Sequence, residues 1–386
     1  MKLYLDHAAT SPILDESLRV MVDAYREAYA NPSSAHSFGS DVERRGKQAK
    51  KNILKHLAGK PKNLIMTSGG TEANNQMIYS QSVKSSGKAA CFLTSSIEHK
   101  SVLQPLEHWT PKESVHLLKV GRTGQISLEH LDEILEKEGK RLTFVSLMHV
   151  NNETGIIQPL QKAVEIIRHK SPEAFIHVDG VQAFGKIEVQ DLIRSIDAYS
   201  ISAHKLRGPR GLGALWIKNP DKLNPLLHGG DQEYGKRSGT QNSPALLGFE
   251  KSVIKAYENL HENHQKRLAI RETIIEEIKS SIRDTMVIEV KDQQVPGILL
   301  IAFEGVKSEV LLHSLETEGI YVSSGSACAA RKDEISHVLK AMEIPLEWAE
   351  GVLRISFDET MTTEQILYLV EKLTEHVQKI RKWVKR

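Results

Sequence analysis

The chain has 386 residues, 40% hydrophobic and 26% charged, with 51 Lys plus Arg against 49 Asp plus Glu. That length exceeds one ordinary core and suggests about two to three domains, and a net charge of +2 makes no case for a nucleic-acid surface. No apolar run approaches the ~20 residues that span a bilayer, the start carries no signal-peptide core, and two cysteines can neither staple a disulfide scaffold nor ligate an iron–sulfur cluster. A cytoplasmic protein with no membrane partner and no direct nucleic-acid partner is expected.

Residues 1–7 read as a strand running into a polar turn. From about 63 to 217, short apolar runs alternate with amphipathic stretches. Candidate strands are 63–67, 89–94, 115–120, 142–149, 175–179, 198–202 and 213–217. Leu128, Leu131, Ile134 and Leu135 have helical spacing, as does the stretch 160–169. Such alternation predicts an α/β layer with a mostly parallel sheet, whose ligands bind beyond the carboxyl ends of the strands. Ser243-Pro244 reads as a capping residue followed by Pro in the first turn, and a helical pattern with few breaks then runs to about 282. Beyond it come strands 286–290, 298–303, 320–322 and 352–357, helices 308–318 and 334–342, and a last amphipathic helix carrying Ile366 to Val384. This reads as a second, smaller α/β unit.

Seven constellations at the ends of these strands could carry chemistry. In Ser202-Ala203-His204-Lys205-Leu206-Arg207-Gly208, a lysine follows a strand at once, amid cations that disfavour its protonated form; a partly neutral amine can form a Schiff base. In His177-Val178-Asp179-Gly180-Val181-Gln182, a carboxylate ends an apolar strand, where it could face a pyridine nitrogen. His177-x-Asp179 lacks a third ligand, so no metal centre is expected. Thr67-Ser68-Gly69-Gly70-Thr71 is a strand, a glycine turn and a helix start, suited to an anion. His99 follows another strand and could stack on a flat ring or move protons. Asn151-Asn152 ends a fifth, with amides placed for a ring oxygen or a carboxylate. Cys328 stands among small residues in Ser323-Ser324-Gly325-Ser326-Ala327-Cys328, whereas Cys91 reads as strand core. Arg354, inside a strand, needs an anionic partner. Each feature taken alone has an ordinary structural explanation; their recurrence at successive strand ends does not.

Together these residues resemble the cysteine desulfurases of the NifS/IscS-like branch, within the fold-type I (class-V aminotransferase-like) enzymes that use pyridoxal 5′-phosphate (PLP). The resemblance runs from Leu5-Asp6-His7-Ala8-Ala9-Thr10 to about Thr363. It is most specific at 202–211, at Arg237-Ser238-Gly239-Thr240 and at 323–328. It implies a large PLP-binding domain over 16–255, with a mostly parallel mixed sheet flanked by helices. A smaller α/β domain, formed from 1–15 and 256–386, would carry the cysteine loop. Lys205 would hold the cofactor covalently, Asp179 would pair with the ring nitrogen, Gln182 with the ring hydroxyl, and His99 would stack on the ring. Gly70, Thr71, Ser202 and His204 would hold the phosphate. Thr240 would reach the phosphate of a neighbouring subunit, so a homodimer is implied. Asn152 and Arg354 would hold the carboxylate of an L-cysteine substrate, and Cys328 would take its sulfur as a persulfide for an acceptor protein. Gly69-Gly70-Thr71 departs from the Gly-Ala-Thr of many relatives. The chain stops soon after its last helix, where relatives that serve an iron–sulfur scaffold often carry a further tail; this puts the scaffold in doubt as the expected acceptor and leaves room for a tRNA-thiolation enzyme. Other readings are a selenocysteine lyase or another enzyme of the same fold, or a catalytically silent sulfur-relay adaptor.

Overall fold

The apolar runs of the sequence become strands wherever both faces can be buried. The computed structural model describes residues 1–86, 90–325 and 335–384. Its strands are β1 (Leu3–Tyr4), β2 (Leu64–Thr67), β3 (Cys91–Ser95), β4 (Val115–Leu118), β5 (Leu142–Met148), β6 (Phe175–Asp179), β7 (Ala198–Ser202), β8 (Gly213–Ile217), β9 (Thr285–Ile288), β10 (Ile298–Phe303), β11 (Ile320–Tyr321) and β12 (Val352–Ser356). Seven form one sheet in the order β2-β8-β7-β6-β5-β3-β4. Neighbours from β4 to β7 run parallel, and β8 is antiparallel to both β7 and β2. The expected mixed, mostly parallel sheet is present.

Period-two alternation decides which core each side chain enters. On β5 and β6, Phe144 and Phe175 join a cluster with Ala73, Met77 and Ile78 of the helix Gly70–Ser85. Val145, Leu147, Ile176 and Val178 face the other way, onto Leu131, Ile134 and Leu135 of the helix Leu128–Glu138. A sheet covered by helices on both faces explains why these runs carry no polar alternation.

A second cluster collects Leu299, Ile301 and Phe303 of β10, Leu353 and Ile355 of β12, and Leu369, Leu373 and Val377 of the helix Thr363–Val384. Its sheet is antiparallel, in the order β12-β10-β9. The N-terminal strand β1 pairs in parallel with β11, more than 300 residues later. This returns residues 6–10 to the carboxyl edge of the large sheet, where Ser11 N–H bonds the His204 carbonyl at 3.1 Å.

Two expectations need correction. The long helical stretch is two helices, Ser243–Glu258 and Leu260–Ser281, because Asn259 leaves helical geometry (φ −117°, ψ 20°). Its cap is Asn242, whose side chain accepts from Ala245 N–H at 3.1 Å, so Ser243 and Pro244 lie inside the first turn. Among the described residues no helix is long and apolar enough to cross a membrane.

Candidate active site

Strand ends converge as the alternating pattern requires. A cavity of about 310 Å³ lies at the carboxyl edge of the large sheet, and its lining includes Gly70, Thr71, His99, Asn152, Asp179, Gln182, Ser202, His204, Lys205 and Arg354. Each of these was singled out from sequence. Thr240 does not line it; that threonine is exposed, on a segment tied to the site by Arg237, which donates to both carboxylate oxygens of Glu72 at 2.9 and 3.3 Å. Cys328 lies outside the described residues.

Lys205 sits in a single 3₁₀ turn, Ala203–Leu206, directly after β7. Its Nζ donates to the carbonyls of Ala8 and Ala9, each at 2.6 Å, so the returning N-terminal segment fixes where the amine points. Burial, with Lys205 and Arg210 close by, pushes the adjacent His204 down to about 4. His204 is therefore neutral near pH 7, and its Nδ1 lies 3.1 Å from Thr10 Oγ1.

Asp179 ends β6 and is buried. Its Oδ1 accepts from Val181 N–H at 3.0 Å and its Oδ2 from Asn74 Nδ2 at 2.8 Å. Asn74 also donates to Ser101 Oγ at 2.9 Å, which lies 2.8 Å from His99 Nδ1. The Ser101 N–H donates to that same nitrogen at 3.1 Å, since His99 caps the helix Lys100–Trp109. Nδ1 is thus an acceptor, and the proton of the neutral imidazole sits on Nε2. Burial is the main cause that lowers the His99 pKa, against the opposing pull of Asp179.

Gln182 is held at both ends of its amide. Nε2 donates to the Ala8 carbonyl at 2.8 Å, and Oε1 accepts from Lys186 Nζ at 2.6 Å. Burial, with Lys205, Arg267 and Arg354 nearby, holds the Lys186 ammonium well below its usual range. Arg354 is buried on β12, and Nη1 donates to the Asn152 carbonyl at 2.9 Å. The anionic partner it required is supplied within the chain, because Nη2 donates to Asp6 Oδ1 at 2.8 Å. Of the paired amides, Asn151 builds the turn by accepting from Glu153 N–H and Thr154 N–H, and only Asn152 reaches the cavity.

Sequence reasoning missed Asn74, Ser101, Glu153 and Lys186. Asn74 was findable, since it lies one helical turn beyond Gly70. The others had no local signal. Glu153 is buried, and burial raises its pKa; its Oε2 accepts from Ser336 Oγ at 2.6 Å. A Cβ at Gly325 would lie 3.6 Å from the same oxygen. The chain thus enters and leaves 326–334 beside one carboxylate of the cavity wall.

This arrangement has known relatives. The sequence matches the family profile described as aminotransferase class-V over residues 3–369, and the chain belongs to that family. It is 35% identical to the cysteine desulfurase IscS of Dictyoglomus turgidum, over 98% of this chain and 95% of that one. Against the cysteine desulfurase NifS of Azotobacter vinelandii the identity is 32%, over 98% and 93%. Among solved structures, a NifS-like protein superposes with a TM-score of 0.91 at 32% identity, covering 98% of this chain and all of that one. SspA in complex with cysteine gives 0.80 at 28% identity, covering 94% of this chain and all of that one. Within its family the chain is a member of the NifS/IscS cysteine desulfurases, which are PLP enzymes.

The residues present fit that cofactor. The cavity offers a buried carboxylate, a neutral imidazole and a lysine. At its other end stands Ser202, whose buried Oγ has no hydrogen-bond partner among the described residues, next to the N-terminus of the helix Gly70–Ser85. Gly70, Thr71, Ser202 and His204 also line a recess with Arg210 and Glu72, at the helix N-terminus, where backbone N–H groups suit a phosphate. The departure at Gly70 has a local cause: a Cβ there would come within 2.5 Å of Val181 Cγ2.

Proposed function

We propose that this protein removes sulfur from L-cysteine, leaving L-alanine, and passes the sulfur as a Cys328 persulfide to an acceptor protein. The observation that carries this reading is the convergence of Lys205, Asp179, His99 and Arg354 on one cavity. The solved cysteine complex of a relative supports the choice of substrate.

Asp179 is set to face the ring nitrogen, with Asn74 and the Val181 N–H holding its two oxygens. His99 would stack on the ring, and Gln182 would donate to the ring hydroxyl. Gly70, Thr71, Ser202 and His204 hold the phosphate. PLP, when bound, supplies an electron sink that stabilises negative charge at the substrate Cα. Lys205 would anchor the cofactor, and its amine would move the Cα proton. Arg354 and Asn152 hold the substrate carboxylate.

Cys328 then attacks the substrate sulfur as a thiolate. The S–S bond forms as the Cβ–S bond breaks, and the carbon skeleton leaves as alanine after protonation. Gly325 and Ser336, described residues on either side of the segment that carries Cys328, both stand beside Glu153 of the cavity wall. Thr240, exposed and outside its own chain's cavity, reaches the phosphate of a second subunit, so the working unit is a homodimer. The acceptor is an iron–sulfur scaffold or a tRNA-thiolation enzyme.

The test is to mix the PLP-loaded protein with L-cysteine and a reductant and to measure sulfide and alanine together, beside Cys328→Ala. Equal amounts from the parent and neither from the variant are expected. Alanine and sulfide from both would remove Cys328 from the reaction. No product from a fully loaded parent, even with either acceptor added, would overturn the substrate assignment.

A further inference from the structure

At the opposite edge of the large sheet, away from the strand ends that form the cavity, three side chains with metal-binding atoms come together. Cys91 opens β3, His116 is the second residue of the edge strand β4, and Glu138 closes the helix Leu128–Glu138 that covers this face. Their ligand atoms (the thiol sulfur, an imidazole nitrogen and a carboxylate oxygen) all lie within 4.8 Å of one another. The topology explains the meeting. Cys91 and Leu93 point into the same core, and His116 pairs across the ladder with Leu93, so it stands diagonal to Cys91 on the same face. Diagonal neighbours in a sheet are within reach of long side chains.

A second, independent feature marks the position. The register of β3 against β5 shifts between Cys91 and Phe92: Cys91 pairs with Leu142 but Phe92 with Phe144. Such irregularities re-aim a side chain and occur beside functional sites. Glu138 is also oriented from outside the trio, because Arg141 donates to its Oε2 at 2.8 Å. A supporting hydrogen bond of this kind to a ligand carboxylate is usual around a metal.

We propose that Cys91, His116 and Glu138 form a binding site for a borderline-soft divalent cation such as Zn²⁺, held through thiolate, imidazole and carboxylate with a fourth position open to water. That donor set suits zinc, whose tetrahedral ligand atoms stand about 3.5 Å apart. The side chains need to close by on the order of 1 Å, a rotamer adjustment. A cysteine binds a metal ion as its thiolate, and the Cys91 thiol must lose its proton to do so. Binding the cation therefore releases the thiol proton to solvent, and affinity must rise with pH. The ion is distant from the sulfur chemistry, so its role is to fasten the edge strand to its helix.

The test uses the PLP-loaded full chain carrying Cys328→Ser, so that the reactive thiol cannot supply the ligand. It is dialysed against Zn²⁺, and bound zinc is measured per chain at two pH values. One zinc per chain is expected, bound more tightly at the higher pH. Adding His116→Ala, on the partly exposed edge strand, weakens binding by about tenfold or more. Cys91→Ser and Glu138→Gln do the same while the bound cofactor's absorbance stays unchanged. Zinc binding that is unaltered in His116→Ala and Cys91→Ser, or that needs Cys328, would overturn the proposal.

Discussion

Arg354, on β12, donates a 2.8 Å hydrogen bond to Asp6, which lies 348 positions earlier in the chain. The guanidinium is almost wholly buried and the carboxylate partly so (3% and 20% exposed). The pair ties the N-terminal segment, which holds Lys205 through Ala8 and Ala9, to the strand whose Arg354 is proposed to hold the substrate carboxylate.

Asp6→Asn should therefore affect binding and stability together. Removing one partner leaves a buried cation undercompensated, at a cost of about 1–3 kcal/mol. KM for L-cysteine should rise as Arg354 loses its fixed orientation, with PLP content unchanged. Denaturant unfolding and steady-state kinetics check both; a variant with parental KM would show that Asp6 does not orient Arg354 for substrate.

Gly70 offers a compensation test. A Cβ at this position would meet Val181 Cγ2 at 2.5 Å, so Gly70→Ala should cost about 1–3 kcal/mol by overpacking and weaken PLP retention. Val181→Ala added to it removes the clash and should restore most of the loss, a non-additivity expected of residues in contact. Equal defects in the single and double variants would refute the steric account.

Lys186 acts on Gln182, whose Oε1 it holds at 2.6 Å. Lys186→Met removes that donor and frees the amide to turn, which weakens the proposed donation from Gln182 to the ring hydroxyl. The pH midpoint of the bound cofactor's visible absorbance should then move upward by on the order of one unit, about 1.4 kcal/mol, while KM changes little. An unmoved midpoint at full cofactor content would make Lys186 only a packing residue.

Glu98 sets a stability trend with pH. It is fully buried; Oε1 accepts from Ser95 Oγ at 2.6 Å and Met148 N–H at 2.9 Å, and Oε2 has no partner among the described residues. Burial pushes it up to about 8 from 4.5. Between those values the folded chain binds a proton that the unfolded chain does not, so stability must fall as pH rises through this window. Glu98→Gln, a neutral isostere, should lack the slope, and the parent should lose on the order of 2–4 kcal/mol relative to it between about pH 5 and about pH 9. His177, pushed down to about 3 by burial, has the opposite sign: its contribution is complete above about 6.5 and is lost as pH falls toward 3. Parallel curves for parent and Glu98→Gln in urea titrations would exclude the buried acid.

Much of the fold was legible because both faces of β5, β6 and β7 are buried, and continuous apolar runs announce that condition locally. The boundaries of β6, β7, β8 and β10 match those read from sequence. The Asn242 cap was missed because Ser243 beside it is an equally good capping residue, and the break at Asn259 because a single Asn disfavours a helix interior without by itself ending the helix. Cofactor-site candidates were readable where a polar residue ends a strand or follows it within a few positions, as with Asp179, His99 and Lys205.

By itself the sequence determined the succession of strands and helices and the chemical types at the strand ends, because periodicity and composition act over a few neighbours. The tertiary structure alone decided what meets across hundreds of residues: Asp6 with Arg354, Ala8 with Lys205 and Gln182, and Cys91 with His116 and Glu138. Those meetings depend on sheet order and on the return of the N-terminus to β11, and no local pattern encodes them.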